Sequence, residues 1–307
     1  MTIERKPAAF GDMRNWMKAL KAAGELREID AEVDWNVELG TITRVAQGPG
    51  TGPALLFNNI KDYNKADSRC RSLFACSLSS YRRIAMMLGL SPDTHPRDLV
   101  KICRSILTGT VAPKLVNSGP VKENIVKGKD VDLYELLAPH WNRADGGRYL
   151  ITYAGCVTKH PDTGVMNVGV YRGMLTGKDK ISALMYRAQN IGHHITAWQA
   201  KGATEMPVAY VIGWEPSLDF CGGAPVPAGV CEYDVMGAIR GEPVDLVQCE
   251  TVDLQVPAAA EIVIEGHLQL DPANYDVEGP FAEFTGYVAG ERSEEHTSEL
   301  QSHHDLV

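Results

Sequence analysis

Two carboxylates, Glu278 and Glu283, stand five residues apart in the segment EGPFAEFTG. Acids in a surface loop usually have polar neighbours, whereas these two are set among Phe281, Phe284 and small residues. The Gly-Pro pair between them predicts a turn. One interpretation is an exposed turn with two solvated acids. The other is a pair of carboxylates that transfer protons, because burial beside aromatic rings raises the pKa of an acid. The segment alone leaves both interpretations open.

A second candidate segment, MNVGVYRGM, contains Asn167 and Arg172. Their odd spacing places the two side chains on opposite faces of a regular strand, although a bulge at Gly169 would reorient one of them. Arginine is permanently charged and binds a carboxylate or a phosphate through two parallel hydrogen bonds. The segment therefore offers an anion-binding side chain.

Two predicted helix starts carry further candidates. Glu232 falls in the first turn of a helix in VPAGVCEYDVMGAIRG, where the helix dipole favours an acid that can also reach a cation. His193 and His194 lie at the start of another helix, in QNIGHHITAW. Taken singly, each of these residues also has an ordinary structural explanation, such as an exposed acid or a hydrogen-bonded histidine.

The composition is that of an ordinary globular protein. The chain has 307 residues, of which 44% are hydrophobic and 22% charged, enough for one large core or two smaller ones. The formal net charge of -9 argues against a nucleic-acid or anionic-membrane partner. The start MTIERKPAAF lacks an apolar signal region, and no apolar run has membrane-spanning length. We therefore expect a cytoplasmic protein.

The cysteines indicate neither a disulfide framework nor a zinc site. There are seven of them, an odd number, and no two form a C-x-x-C pair. No nucleophile motif surrounds any of them, so we interpret most as small core residues. Glycine patterns for a dinucleotide-binding loop or a phosphate-binding loop are also absent from the sequence. The seven are Cys70, Cys76, Cys103, Cys156, Cys221, Cys231 and Cys249.

The hydrophobic pattern predicts two parts that differ in secondary structure. Residues 1–115 read as an α/β domain, with an amphipathic helix that ends at Gly24, strands in LREIDAEVDW and PALLFNNI, and helices in YRRIAMMLGL and LVKICRSIL. The linker-like VAPKLVNSGPVKEN follows. Residues 116–291 are rich in strands, with helices only near 191–201 and 232–240, which predicts a mainly antiparallel barrel. Its six candidate strands are YLITYAGCVTKH, VMNVGVYRGML, KISALMY, MPVAYVIGW, VDLVQCETVDLQV and AEIVIEGHLQL.

The last residues, 292–307, differ from the rest of the chain. RSEEHTSELQSHHDLV has no hydrophobic period, and its first part resembles the translation of a sequencing-adapter oligonucleotide. We expect a non-native tail here, and therefore a natural protein that is cut short; an ordinary disordered tail is the alternative. The tail histidines are then not a metal cluster, and they are His296, His303 and His304.

Three long segments together resemble the UbiD-type decarboxylase family, in the family's order and from the first helix to Gly290. They are DGGRYLITYAGCVTKHPDTGVMNVGVYR (145–172), PVPAGVCEYDVMGAIRGEPVDLVQCET (225–251) and EGPFAEFTG (278–286). The details are most similar to phenolic acid decarboxylases for 4-hydroxybenzoate-like, protocatechuate-like or gallate-like acids. The resemblance implies an α/β (α+β) fold with an antiparallel FMN-binding split barrel, here without its C-terminal domain. It also implies reversible, non-oxidative decarboxylation with prenylated FMN, Mn2+ or Mg2+, and K+.

The resemblance assigns roles to the opening residues. The family's catalytic arginine and two glutamates fall on Arg172, Glu278 and Glu283. In these roles, Arg172 orients the substrate carboxylate and keeps Glu278 ionised, and Glu283, among aromatic residues, has a raised pKa and protonates carbon after CO2 leaves. The implied cofactor contacts are Asn167, Val170, Tyr171, Arg172, Gln189 and Asn190.

The implied metal ligands carry over less completely. Asn167 and Glu232 match the family's asparagine and glutamate, whose oxygens suit manganese or magnesium. The family's third ligand is a histidine, and counting back from Trp198 puts Asn190 at that place. Either His193 or His194, about one helical turn on, supplies the ligand through a local shift, or Asn190 does so itself. Backbone carbonyls near Cys221, Gly222 and Ala224 are the implied potassium ligands.

Other functions stay open from the sequence. They are a ubiquinone-pathway decarboxylase for a prenylated hydroxybenzoate, a flavin-binding module without catalysis, and an assembly subunit. The intact set of Arg172, Glu278 and Glu283 favours an enzyme, because a binding module needs no proton donor. A flavin prenyltransferase that supplies the cofactor and a homo-oligomer are the implied partners. We expect the chain as written to bind flavin weakly and to be poorly soluble.

Overall fold

The computed structural model describes residues 5–48, 50–227, 229–283, 285–289 and 297–301, the last of these as backbone. The helices are α1 Met13–Ala22, α2 Glu38–Gln47, α3 Tyr81–Met87, α4 Pro96–Ile106, α5 Asn190–Ala200, α6 Pro216–Gly222 and α7 Glu232–Arg240. The first strands are β1 Leu26–Ile29, β2 Ala54–Phe57, β3 Leu73–Ala75, β4 Lys114–Leu115, β5 Tyr149–Ile151, β6 Gly155–Lys159, β7 Met166–Val170 and β8 Gly173–Gly177. The others are β9 Lys180–Leu184, β10 Glu205–Ile212, β11 Asp245–Gln248, β12 Gln255–Pro257, β13 Ile262–Gln269, β14 Phe281–Ala282, β15 Val288–Ala289 and β16 Thr297–Gln301.

The N-terminal part forms a three-stranded sheet in which β2 pairs parallel with β1 and antiparallel with β3. Helix α1 begins at its capping residue Asp12, which accepts a hydrogen bond from the Asn15 amide, and it buries Trp16 and Leu20. The structure confirms the predicted helix before Gly24 as α1 and the predicted strand in PALLFNNI as β2. It also confirms the helices predicted in YRRIAMMLGL and LVKICRSIL as α3 and α4. The strand predicted over LREIDAEVDW extends only to Ile29. Helix α2 was not predicted, because its preceding residue Val37 has a positive φ and makes no side-chain cap.

The second part contains an eight-stranded sheet in the order β5-β8-β9-β16-β13-β10-β6-β7, with all neighbours antiparallel. The predicted antiparallel arrangement is therefore confirmed. Three of the six predicted strand segments each contain two strands, β5 with β6, β7 with β8, and β11 with β12. A smaller sheet has the order β12-β11-β4, in which β4 pairs parallel with β11.

The connection between β7 and β8 shows that the large sheet is curled. Strand β7 is at one end of the strand order and β8 is next to the other end, yet only Tyr171 and Arg172 separate them in the chain. The three peptide units from Val170 to Gly173 span at most about 11 Å. The two edges must therefore approach each other, as in a barrel.

The large sheet separates two hydrophobic cores. One core joins Trp16 of α1 to Val157 and Val168 of the sheet, and the other contains Cys156 and Tyr210. Successive residues of β6 thus enter different cores, as strand geometry requires. The first core includes residues from both predicted domains, and the domain boundaries at 115 and 291 stay predictions. Among the described residues, no helix has the length and apolar character needed to cross a bilayer.

The C-terminal segment contributes one strand to the large sheet. The backbone of Thr297–Gln301 forms β16, which pairs with β9 on one side and β13 on the other. The sequence pattern gave no indication of a strand here. The non-native origin of 292–307 stays a prediction, and its three histidines lie outside the described residues.

Candidate active site

Arg172 lies at the centre of a cluster with both acids of EGPFAEFTG. Its Nε and Nη2 donate to the two carboxylate oxygens of Glu278 at 2.9 and 2.8 Å. Its Nη1 donates to Glu283 Oε1. The Arg172 side chain is 9% exposed and Glu278 is fully buried. The interpretation of Glu278 as a solvated loop acid is therefore wrong.

The backbone explains how Arg172 reaches the acids. We expected Asn167 and Arg172 to share one strand, but β7 ends at Val170 and Arg172 lies in the two-residue connection to β8. Regular alternation of side chains does not extend to it. Asn167 therefore stays on the face of β7, while Arg172 is free to turn towards the loop that holds Glu278.

Tyr149 completes the buried end of this cluster, and the sequence did not single it out. Its hydroxyl donates to Glu278 Oε1 at 2.7 Å, and its ring packs 4.4 Å from Phe281. Burial, followed by the hydrogen bond and charge of Glu278, raises the pKa of Tyr149. Tyr149 therefore stays protonated as a donor. A buried tyrosine hydroxyl requires a partner, and that requirement was the only signal in the sequence.

The electrostatics keep Arg172 charged. Burial by itself lowers the pKa of Arg172, but the hydrogen bonds and charge of Glu278, with smaller contributions from Tyr149 and Glu283, raise it overall. The central carbon of its guanidinium lies over the Phe281 ring, 5.2 Å from the ring centroid. A fixed cation is thus present at the position that the resemblance gave to the substrate-binding arginine.

Glu283 differs from Glu278 in its surroundings. Its side chain is 41% exposed, against zero for Glu278. We expected aromatic neighbours for it, but Phe281 packs against Tyr149 and Arg172, and Phe284 lies outside the described residues. The cluster therefore has one buried acid and one acid that solvent or a ligand can reach.

A second polar cluster is buried on β7 and α7. Asn167 Nδ2 and the Val168 amide donate to the two oxygens of Glu232, at 2.9 and 2.6 Å. Burial raises the pKa of Glu232 to about 7. The Oδ1 atom of Asn167 is buried and has no hydrogen-bond partner. Glu232 and the unpartnered Asn167 Oδ1 are neighbouring buried oxygen ligands. A metal ion bound between them would supply the missing partner.

His194 joins this cluster through the neighbouring strand. Its Nδ1 lies 2.8 Å from Thr158 Oγ1, and Thr158 on β6 is directly opposite Asn167 on β7. Directly opposite residues share a face of the sheet, with Cβ atoms about 5 Å apart. Burial, followed by the charges of His160 and His193, lowers the pKa of His194 to about 4, so the ring is neutral. A neutral imidazole is the form that ligates metals.

The other two candidates for the third ligand lie at the surface. His193 and Asn190 are exposed on α5, whereas His194 is buried. In the described part of the chain, no three residues among His, Cys, Asp and Glu gather into a metal-binding group. A cation site here therefore depends on the amide oxygen of Asn167 together with Glu232 and His194.

The remaining predicted cofactor contacts lie on the same chain segments as the two clusters. Tyr171 is buried, and a Cβ on Gly169 would lie 2.5 Å from its hydroxyl oxygen. Gln189 and Asn190 begin α5, whose first turn has no side-chain cap, so its amides suit a phosphate. The predicted potassium residues Cys221, Gly222 and Ala224 are at the end of α6, where a Cβ on Gly222 would lie 2.9 Å from the Val170 side chain.

Comparison with known families identifies the fold. Residues 114–302 match the UbiD family model described as the 3-octaprenyl-4-hydroxybenzoate carboxy-lyase Rift-related domain, and residues 17–103 match the corresponding N-terminal domain. The chain belongs to the UbiD family. The predicted family membership and fold class are therefore confirmed.

Individual UbiD-family relatives agree with this result. Ferulic acid decarboxylase 1 of Saccharomyces cerevisiae is 35% identical over 288 residues, which cover 90% of this chain and 56% of the yeast protein. The closed form of Sedimentibacter hydroxybenzoicus vanillic acid decarboxylase gives a TM-score of 0.87 at 31% identity, over 97% of this chain and 62% of that one. An evolved dimeric form of the UbiD-class enzyme HmfF from Pelotomaculum thermopropionicum, in complex with prFMN, gives 0.83 at 28% identity, over 96% and 65%. The chain thus spans less than two thirds of these UbiD-family proteins.

Proposed function

We propose that this chain carries the catalytic acids of a UbiD-family carboxy-lyase that removes CO2 from a hydroxylated aromatic acid, reversibly and without oxidation. The observation that carries the proposal is the position of Arg172, which binds the buried Glu278 through two nitrogens and the accessible Glu283 through the third. A cation fixed between a buried acid and an accessible one suits a reaction that binds a carboxylate and then delivers a proton.

The substrate class rests on the relatives. The yeast relative is named for ferulic acid and the Sedimentibacter relative for vanillic acid, and both compounds carry a phenolic hydroxyl. We propose a phenolic acid as the substrate of the complete protein.

Arg172 binds the substrate carboxylate in this proposal. Its Nε and Nη2 are committed to Glu278, so Nη1 is the nitrogen that can exchange partners. The incoming carboxylate displaces Glu283 from Nη1, because both compete for the same cation. Glu278, held in turn by the Tyr149 hydroxyl, keeps the guanidinium in place during this exchange.

Glu283, once displaced, acts as the proton donor. Its side chain is 41% exposed, so the carboxyl can take up a proton from solvent. When the bond between the ring carbon and the carboxylate breaks, CO2 leaves and Glu283 donates its proton to that carbon. Prenylated FMN, when bound, supplies the electron sink for this step.

The buried polar cluster is the proposed metal end of the cofactor site. Asn167 Oδ1, Glu232 and His194 would hold Mn2+ or Mg2+, and carbonyls at the end of α6 would hold K+. The uncapped start of α5 supports a phosphate nearby. A flavin prenyltransferase as supplier of the cofactor, a homo-oligomer and a cytoplasmic location complete the proposal.

The test is Glu283→Gln in a chain extended to the length of its relatives and loaded with prenylated FMN. Glutamine can hydrogen-bond to Arg172 but cannot deliver the proton, so we expect decarboxylation of a hydroxybenzoate to fall about 10²–10⁴-fold. Exchange of ring hydrogen for deuterium falls in parallel. The matched control is Glu261→Gln, which removes a carboxylate paired with the exposed Arg14. Decarboxylation by Glu283→Gln at the parent rate would exclude this proton donor.

A further inference from the structure

The segment 145–149, here called the bracket, contacts the loop that carries both acids, residues 278–283. The Ala282 amide donates to Asp145 Oδ1 at 2.8 Å, and the Gly146 amide donates to the Pro280 carbonyl at 2.7 Å. Tyr149 donates to Glu278. The bracket therefore holds the acid loop at its beginning, middle and end.

Asp145 provides the contact nearest to Glu283. Its side chain is buried, and its second oxygen accepts a hydrogen bond from the Asn142 amide at 2.8 Å. Both oxygens are thus used as acceptors for backbone amides, which fixes the carboxylate. The amide that it holds belongs to Ala282, the residue directly before Glu283.

The approach of the two segments is close at Gly146. A Cβ at this position would lie 2.0 Å from the Gly279 carbonyl oxygen, so a side chain here would push the loop away. The loop and the bracket are therefore in direct backbone contact.

The bracket is also anchored on its far side. Arg148 donates through Nε to the Ala138 carbonyl at 2.7 Å, and its guanidinium lies 4.3 Å from the Trp35 ring centroid. The rings of Tyr63 and Tyr134 are 5.7 and 5.4 Å from it. These contacts do not involve the acid loop, so the bracket keeps its position independently of the loop.

The other backbone hydrogen bonds of the Glu283 end lie within its own hairpin. Strand β14 pairs with β15 over two residue pairs, and the Glu283 amide donates to the Tyr287 carbonyl at 2.9 Å. The Glu283 side chain is 41% exposed and is held by Arg172 Nη1. The Glu278 end, in contrast, is fixed by Arg172 and Tyr149. Loss of the Asp145 contact would therefore loosen the hairpin that carries Glu283 and leave Glu278 in place.

We propose that Asp145 is a positioning residue for proton delivery, because it holds Glu283 within reach of Arg172 through the Ala282 amide. The inference rests on the proposed function of Glu283 as the proton donor. In this role Asp145 does not react itself, and it fixes the position from which Glu283 delivers the proton.

The first test uses the 307-residue chain as it is and follows hydrogen exchange at the Ala282 amide. In Asp145→Ala, we expect exchange at least about tenfold faster, because a charged acceptor is lost. Asp145→Asn keeps one carbonyl acceptor and gives an intermediate rate. The matched control is Asp271→Ala, which removes an exposed carboxylate that accepts from the Ala273 amide. An unchanged Ala282 rate in both Asp145 variants would overturn the proposal.

The second test separates positioning from general stability. In the extended, cofactor-loaded enzyme, Asp145→Asn should lower kcat about 10- to 100-fold without raising KM, since the substrate carboxylate binds Arg172 and competes there with Glu283. A raised KM with the parent kcat would refute the positioning role. If the parent enzyme shows no decarboxylation, the proposed function fails, and the exchange rate at Ala282 still decides whether Asp145 holds the loop.

Discussion

Replacing Glu278 by glutamine tests whether the buried acid Glu278 contributes more to stability than the accessible acid Glu283. Glu278 is fully buried and accepts three hydrogen bonds, two from Arg172 at 2.9 and 2.8 Å and one from Tyr149 at 2.7 Å. An amide offers one oxygen, and its NH2 group faces a donor of Arg172. The variant therefore leaves a buried guanidinium without its matched carboxylate.

The burial of Glu278 sets the expected loss in the free energy of unfolding. Breaking a buried ion pair by removing one partner costs about 3–5 kcal/mol, and Glu283 remains beside Arg172, so we expect the lower end, about 3 kcal/mol. At about 2–4 °C per kcal/mol, the midpoint of thermal unfolding falls by about 6–12 °C. Glu283→Gln changes an ion pair whose acid is 41% exposed, and should cost only about 0–1 kcal/mol.

Urea and thermal unfolding of the chain without cofactor, followed by circular dichroism, measure both variants. A third variant that combines Arg172→Met with Glu278→Leu removes both charges, and should recover most of the lost stability. Equal losses for Glu278→Gln and Glu283→Gln, within about 1 kcal/mol, would refute the division into a buried structural acid and an accessible one.

Three further predictions use the same chain. Glu232→Gln and His194→Ala should each weaken Mn2+ binding in calorimetry, whereas His193→Ala should not; equal affinities for the two histidine variants would contradict the ligand assignment. Burial raises the pKa of Asp219 to about 8, so the folded chain keeps a proton that the unfolded chain releases above about pH 4. Stability should therefore fall as pH rises from about 4 to about 8, and urea unfolding of Asp219→Asn should show a flatter profile. Gly146→Ala should lower stability by about 1–3 kcal/mol, and a neutral effect would exclude the close backbone contact.

The parts of the fold that the sequence predicted depend on local pattern. Helix α1 has a capping acid, apolar residues at spacings of three and four, and Gly24 after its end, and all three signals are local. Helix α2 has no such start, since Val37 precedes it with a positive φ. The number of strands was underestimated where two strands adjoin, as at Arg172, because an apolar run does not reveal a two-residue connection.

The family resemblance, and not the local sequence pattern, predicted the roles of the candidate-site residues. Tyr149 and Asp145 act on residues 129 and 137 positions away, and such contacts leave no pattern in the sequence. The choice between His193 and His194 depended on the rotational phase of α5, because adjacent helix residues point about 100° apart. Only packing against β6 shows that His194 faces inward.

The connection between β7 and β8 serves both the fold and the candidate site. It consists of Tyr171 and Arg172 alone. The residue that binds both acids therefore also belongs to the seam, the two-residue link that joins the edges of the curled sheet. One inserted residue would rotate the guanidinium away from the acids and loosen the seam in the same event. The exposed turn at 162–164, between β6 and β7, would tolerate such an insertion better. A scan of single-residue insertions would thus find this seam as a position where folding and activity are lost together.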